Sequence, residues 1–202
     1  MSTAPDVLAE LLIDDPTDQQ RLRRQLAERA ERSGELQVAY RTVDSPVGQL
    51  LVAGTPRGLV RVAYPHEGHD AVLQQLADRI DVRVLWAPAR LDPVARQLDE
   101  YFTGRRTRFD VALDLAALTG FRQQVLALLA QIPYGATASY AQVAADAGRP
   151  AAVRAVGTAC ASNPVPVVVP CHRVVRSDGQ LGQYLGGVAA KRTLLALEGC
   201  PT

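Results

Sequence analysis

The sequence predicts an α/β protein: a small N-terminal module of antiparallel sheet plus helices, then a mostly helical C-terminal domain with a winged-helix-like helix-turn-helix. Three observations carry this prediction. Three segments of alternating hydrophobicity lie between residues 35 and 65, separated by Ser45-Pro46 and Pro56-Arg57-Gly58 turn signals. The hydrophobic period then lengthens from that of a strand to that of a helix. Further on, two Ala-rich helical stretches flank Ala147-Gly148-Arg149-Pro150, a spacing suited to a helix-turn-helix and equally to a plain packing pair. With 202 residues and 48% hydrophobic content, the chain has ample material for a packed core.

In chain order, Asp15 and Pro16 suit the cap and first turn of a helix running to Gly34, with Leu22, Leu26 and Ala30 as a thin apolar stripe on a charged surface. "LQVAYRTVD", "GQLLVAGT" and "GLVRVAYP" read as an antiparallel meander. Val72, Leu73, Leu76 and Ile80 then mark a helix and "DVRVLW" a strand. Leu91, Val94, Ala95, Leu98, Tyr101 and Phe102 mark a second helix ending near Gly104. Phe121, Val125, Leu128, Leu129 and Ile132 form one face of a third. Ser139 is placed to cap the first Ala-rich helix and Pro150 to open the second. "VVVPCHRVV" reads as a buried strand, and "VAAKRTLLALEG" as a closing helix. The expected division is residues 1–34 as a helical extension, 35–115 as the α/β domain and 116–202 as the C-terminal domain.

Lys+Arg total 22 against Asp+Glu 21, so bulk charge neither demands nor excludes a nucleic-acid partner. Residues 133–202 carry six basic side chains against three acidic ones, an asymmetry suited to a phosphate-facing surface and equally to an ordinary solvated face. Cys160, Cys171 and Cys200 include no Cys-x-x-Cys pair, which argues against a disulfide scaffold and for a reducing compartment. No basic-then-apolar leader and no membrane-length apolar run occur, so the expectation is a cytoplasmic protein without a membrane partner.

Chemistry concentrates in "VVVPCHRVVRSDG". A thiol in a strand is ordinarily an inert small hydrophobe, but Pro170 breaks a ladder, and His172 and Arg173 would leave polar groups stranded in plain core. Basic neighbours lower a thiol's pKa and make it a nucleophile, yet alternating strand side chains would hold His172 on the face opposite Cys171. Glu198 is the leading candidate to orient the imidazole, with a solvated helix-end glutamate as the alternative. Asn163, before Pro164, is either a turn residue or a hydrogen-bonding hinge.

"NPVPVVVPCHRVV", "GQYLGG" and "LLALEG", preceded in order by "IPYG", "SY" and "GRPAAVRAVG", resemble the active-site block of the O6-alkylguanine-DNA alkyltransferases. The resemblance runs from about Phe121 to Gly199 and is looser over 35–115. It implies transfer of a methyl or other alkyl group from the O6 of guanine, with the O4 of thymine a further candidate, to Cys171 in a single-turnover reaction without a cofactor. It further implies that His172 deprotonates Cys171 through a water, that Glu198 orients His172, that Asn163 braces the surrounding loops and that the Tyr140 hydroxyl assists the departing base. The carbonyls of Cys171 and Val174 would accept from the guanine amine, and Tyr184, Leu185 and Lys191 fall in the substrate-binding part of the motif. Guanine inside a duplex is out of reach, so the nucleotide must be flipped out. Arg154 matches the side chain that replaces it, and Ala151, Ala152, Ala155 and Gly157 permit close approach, with Arg173 also expected on the DNA side. The partner implied is double-stranded DNA containing alkylated guanine, bound by a protein monomeric in solution and able to cluster on DNA.

Two departures stand out. Residues 1–115 hold no cysteine and only His66 and His69 as histidines, too few ligands for the structural zinc of some relatives, so no metal is expected. Leu185 stands where some relatives carry a serine, which leaves a backbone N–H as the substitute donor. The rivals are a Cys-His hydrolase, which needs an oxyanion hole that no motif marks, a lesion sensor, which would lack Cys171, and a helix-turn-helix regulator, which would prefer sequence over lesion.

Overall fold

Why residues 36–115 fold as they do is clearest at "LLVAGT", where every residue but the last is buried because both faces of the strand are covered. In the computed structural model, which describes residues 21–22, 25–26, 29–30, 32–34, 36–80 and 83–200, β1 (Val38–Val43), β2 (Leu50–Thr55) and β3 (Gly58–Ala63) form the antiparallel meander. Helix α1 (His69–Ile80) then crosses over and returns the chain to β4 (Val84–Trp86), which pairs parallel to β1. The sheet is therefore mixed, in the order β3-β2-β1-β4, where the meander alone suggested a wholly antiparallel one. Helix α2 (Asp92–Phe102) follows a short 3-10 turn, Pro88–Leu91.

The open edge of β3 is covered by the chain that leaves this unit. Leu59 N donates to Ala112 O at 2.8 Å and Asp114 N to Leu59 O at 2.9 Å, while Val62 N donates to Pro164 O at 2.8 Å. Gly58 is required there, because a Cβ would fall 2.4 Å from the Ala112 carbonyl oxygen.

The C-terminal unit contains α3 (Gly120–Leu129), β5 (Ala138–Ser139), α4 (Tyr140–Asp146), α5 (Val153–Ala161), β6 (Val174–Val175) and α6 (Gly187–Leu197). Ser139 caps α4 as the sequence suggests, its hydroxyl accepting from Gln142 N while the Gln142 side chain accepts from Ser139 N. Pro150 does not open α5: residues 149–152 form a separate turn, and the helix begins at Val153. One core cluster runs through both units, from Leu50, Val52, Leu98 and Tyr101 to Val125, Leu129, Val156 and Leu194. A smaller cluster, including Leu51, Ala53 and Val72, fills the other face of the sheet under α1.

Two further expectations are corrected. Residues 165–173 are not a strand. Pro164, Pro166 and Pro170 remove ladder donors at short intervals, so the chain forms a buried loop with Val167 at φ 72°, then one 3-10 turn at Cys171–Arg173. Only Val174–Val175 is extended, paired parallel to β5. In the N-terminal extension Asp15 and Pro16 lie outside the described residues. The described residues from 21 to 32 are helical, yet Leu22 and Leu26 are exposed and only Ala30 of the expected stripe is buried.

Candidate active site

The 3-10 turn answers the objection that adjacent strand residues face apart. On a tight turn Cys171, His172 and Arg173 are all buried against different partners of one polar cluster. Asn163 organises the approach to it. Its Oδ1 accepts from Val165 N at 3.1 Å, and its amide donates to Val169 O at 2.8 Å and to the Cys171 sulfur at 3.1 Å. One fully buried side chain thus spans the proline loop and touches the thiol. Cys171 is 2% exposed, and burial pushes its thiol up to about 11, against the opposing pull of the Asn163 amide and the Lys191 charge. At rest the sulfur is protonated, so its proton must leave in step with the chemistry.

Glu198, at the C-terminal cap of α6, is a buried acceptor rather than a solvated helix end. Burial alone would raise its carboxyl, but hydrogen bonds from His172 and Arg173 outweigh that and hold it down to about 2. An ionised carboxylate only accepts, so the 2.9 Å contact from His172 Nε2 to Glu198 Oε1 assigns the imidazole proton to Nε2. Burial lowers the His172 pKa, against the Glu198 hydrogen bond, so the ring is neutral and Nδ1 carries the basic lone pair. That nitrogen is buried and has no protein partner among the described residues.

Arg173 was expected on the DNA side. It is instead 6% exposed, donating to Glu198 at 2.8 and 2.9 Å and to the Ile132 carbonyl, and so braces the carboxylate. Lys191 is fully buried, with its ammonium donating to the Val174 carbonyl at 2.5 Å and to the Leu181 carbonyl. It straps β6 to the following loop. Burial lowers its pKa to about 8. Tyr140, at the start of α4, faces that loop, its hydroxyl 3.4 Å from Gln183 O and its pKa raised by burial to about 12. The Tyr184 ring meets His172 edge-on, with centroids 6.3 Å apart. Leu185 lies elsewhere, in a cavity of about 440 Å³ between the units with Arg61, Leu118 and Pro164. On α5 and the turn before it, Ala151, Arg154 and Ala155 are exposed and Gly157 is half-buried, an outward face of small residues around one arginine.

Sequence reasoning missed two residues, both from the N-terminal unit. The Tyr101 hydroxyl donates to Glu198 Oε1 at 2.6 Å, and the Tyr64 hydroxyl pairs with that of Tyr184 at 2.8 Å. The Tyr64 ring packs so closely on Gly186 that a Cβ there would fall 2.5 Å away. The available signal was the type of residue: a tyrosine in an apolar setting, on a helix face for Tyr101 and just past a strand end for Tyr64, needs a partner for its hydroxyl.

Residues 38–115 match the family described as 6-O-methylguanine DNA methyltransferase, ribonuclease-like domain, and residues 120–200 match the DNA binding domain of the same name. A methylated-DNA--protein-cysteine methyltransferase of Mycobacterium tuberculosis (strain ATCC 25618 / H37Rv) is 42% identical over 166 residues, 80% of this chain and 92% of the relative. The crystal structure of the Mycobacterium tuberculosis O6-methylguanine methyltransferase has a TM-score of 0.69 at 41% identity, covering 80% of this chain and 92% of that one. The Mycobacterium tuberculosis OGT crystallised in complex with DNA has a TM-score of 0.69 at 39% identity, covering 81% and 96%.

Proposed function

This chain belongs to the 6-O-methylguanine DNA methyltransferase family, and from that premise we propose that Cys171 is the thiol to which it transfers the alkyl group. The protein repairs DNA by moving an alkyl group from the base to its own cysteine, and DNA is its partner. Among the described residues no helix is long and apolar enough to cross a membrane.

The observation that carries the residue-level reading is that two buried hydrogen-bonded pairs, Asn163 with Cys171 and His172 with Glu198, meet at adjacent residues of one turn. In the reaction proposed, the Cys171 proton passes through a water to His172 Nδ1, the sulfur lone pair forms a bond to the alkyl carbon, and the carbon–oxygen bond breaks with its electron pair going to O6 of guanine. Glu198 stabilises the imidazolium, and Asn163 holds the developing thiolate. The Tyr140 hydroxyl assists the departing base. The Val174 carbonyl, already held by Lys191, accepts from the guanine amine together with that of Cys171, and Tyr184 lines the pocket. Leu185, turned toward the cavity between the units, supports this reading only through its backbone.

For duplex substrate, α5 delivers the site: Arg154 enters the stack as the nucleotide is extruded, and the small residues around it permit close approach. In this reading residues 116–202 carry both DNA binding and transfer, residues 35–115 form a supporting domain, and residues 1–34 an extension. The protein acts as a monomer and needs no metal, and copies can cluster along damaged DNA. Peptide mapping after reaction with an O6-methylguanine duplex tests the thiol. The label is expected on Cys171 alone and repair is expected to be lost in Cys171→Ser; label on Cys160 or Cys200 would overturn the assignment.

A further inference from the structure

We infer that Tyr101 on α2 is a positioning residue for the His172–Glu198 pair, so that the proton acceptor of the C-terminal unit is completed from the N-terminal unit. The inference rests on the reading of Cys171 and His172 given above and extends it across the boundary between the units. Tyr101 is fully buried, its ring held by Phe102, Phe109 and Tyr134 with centroids 5.2–6.2 Å away. Its hydroxyl donates to Glu198 Oε1 at 2.6 Å, shorter than the 2.9 Å contacts that His172 Nε2 and Arg173 make to the same oxygen, and lies 3.5 Å from His172 Nε2.

Three donors therefore converge on one carboxylate oxygen. The phenol fixes where that oxygen lies, and so where the imidazole it holds must point. By withdrawing charge from Oε1, the phenol also limits how far the carboxylate favours the imidazolium, which keeps Nδ1 unprotonated and ready to accept. Burial and the adjacent Glu198 charge push the Tyr101 pKa upward, so the hydroxyl remains a donor throughout the working pH range. The other titratable or charged groups facing this cluster are Arg173, Lys191, Cys171, Cys200, Tyr134 and Tyr184. Of these, Arg173 already donates to Oε1 in its own right, while the described side-chain hydrogen bonds of Lys191, Tyr134, Cys171 and Tyr184 go to other partners.

The test is Tyr101→Phe in the full chain, with Phe109→Leu as a control that loosens the same aromatic packing without touching the hydroxyl. The rate of Cys171 alkylation by free O6-benzylguanine is followed against pH, with thermal midpoints measured in parallel. Wild-type alkylation at Cys171 establishes the underlying reading independently of either variant. Tyr101→Phe is expected to slow the plateau rate about tenfold, the scale of losing one hydrogen bond to a charged group. Its acid limb should also move to higher pH, because a carboxylate with one donor fewer stabilises the imidazolium more. Phe109→Leu should lower the midpoint and leave the limb in place. An unshifted limb in Tyr101→Phe, whether the rate is unchanged or falls only as in the control, would overturn the inference and reduce Tyr101 to packing.

Discussion

Arg173 shows how burial changes the meaning of a residue. A basic side chain beside a reactive thiol suggests contact with phosphate, yet its guanidinium is spent on Glu198 and the Ile132 carbonyl. Removing one partner of a buried ion pair leaves the other charge uncompensated, so Arg173→Ala should destabilise the fold by about 3 kcal/mol. Its affinity for undamaged duplex, measured under conditions where the variant is folded, should be unchanged; an unaltered urea midpoint with weakened DNA binding would return Arg173 to the DNA side. Much at this scale was legible in the sequence. The order Pro170-Cys171-His172-Arg173 suggested a thiol beside basic groups, while Glu198 and Asn163, each open to a second reading, became their partners only through the family resemblance. What could not be read was which polar neighbour each would choose, because Tyr101 and Tyr64 arrive from elements more than 70 residues away in sequence.

Helix α5 has a solvent-facing side built of small residues around Arg154, while Val156, Ala159 and Cys160 turn inward. One arginine contributes little to total phosphate attraction, so the role proposed for it is extrusion. Arg154→Ala should slow repair of an O6-methylguanine duplex at least about tenfold while leaving the reaction with free O6-benzylguanine within about twofold. Equal losses on both substrates would contradict the role. Helices and the β-meander were readable because their hydrophobic periods are regular and their turns carry Pro and Gly. The active-site segment misled for a physical reason: Val167–Val169 has strand composition, but the prolines on either side deprive it of the donors a strand needs. The parallel pairing of β4 was equally hidden, since alternation reports which faces are buried and says nothing of the neighbouring strand.

Across the whole molecule the two units share a core and close the site between them, so chemistry and stability are linked through the same buried groups. Glu198 lies near 2 in the fold against an ordinary 4.5, and His172 lies below its ordinary 6.5. Both folded values are depressed, so in each case the unfolded chain binds the proton more readily, and stability falls as pH falls. The loss should begin below about pH 6.5 through His172 and steepen between about 4.5 and 2 as Glu198 is protonated. Chemical denaturation midpoints across that range check the sign; a midpoint that rose on acidification would refute it.

The central claim is that this molecule is consumed by its own reaction. A thioether at Cys171, the acceptor proposed, offers no good leaving group, and the pair proposed to accept the thiol proton cannot return the sulfur from saturated carbon. The most direct measurement is the intact mass of the chain after incubation with excess duplex carrying a single O6-methylguanine, alongside the number of lesions repaired per chain. The account predicts a gain of about one methylene, as expected for a covalent nucleophile that is not regenerated, with repair stopping at one lesion per chain. Repair of many lesions by chains of unchanged mass would contradict it.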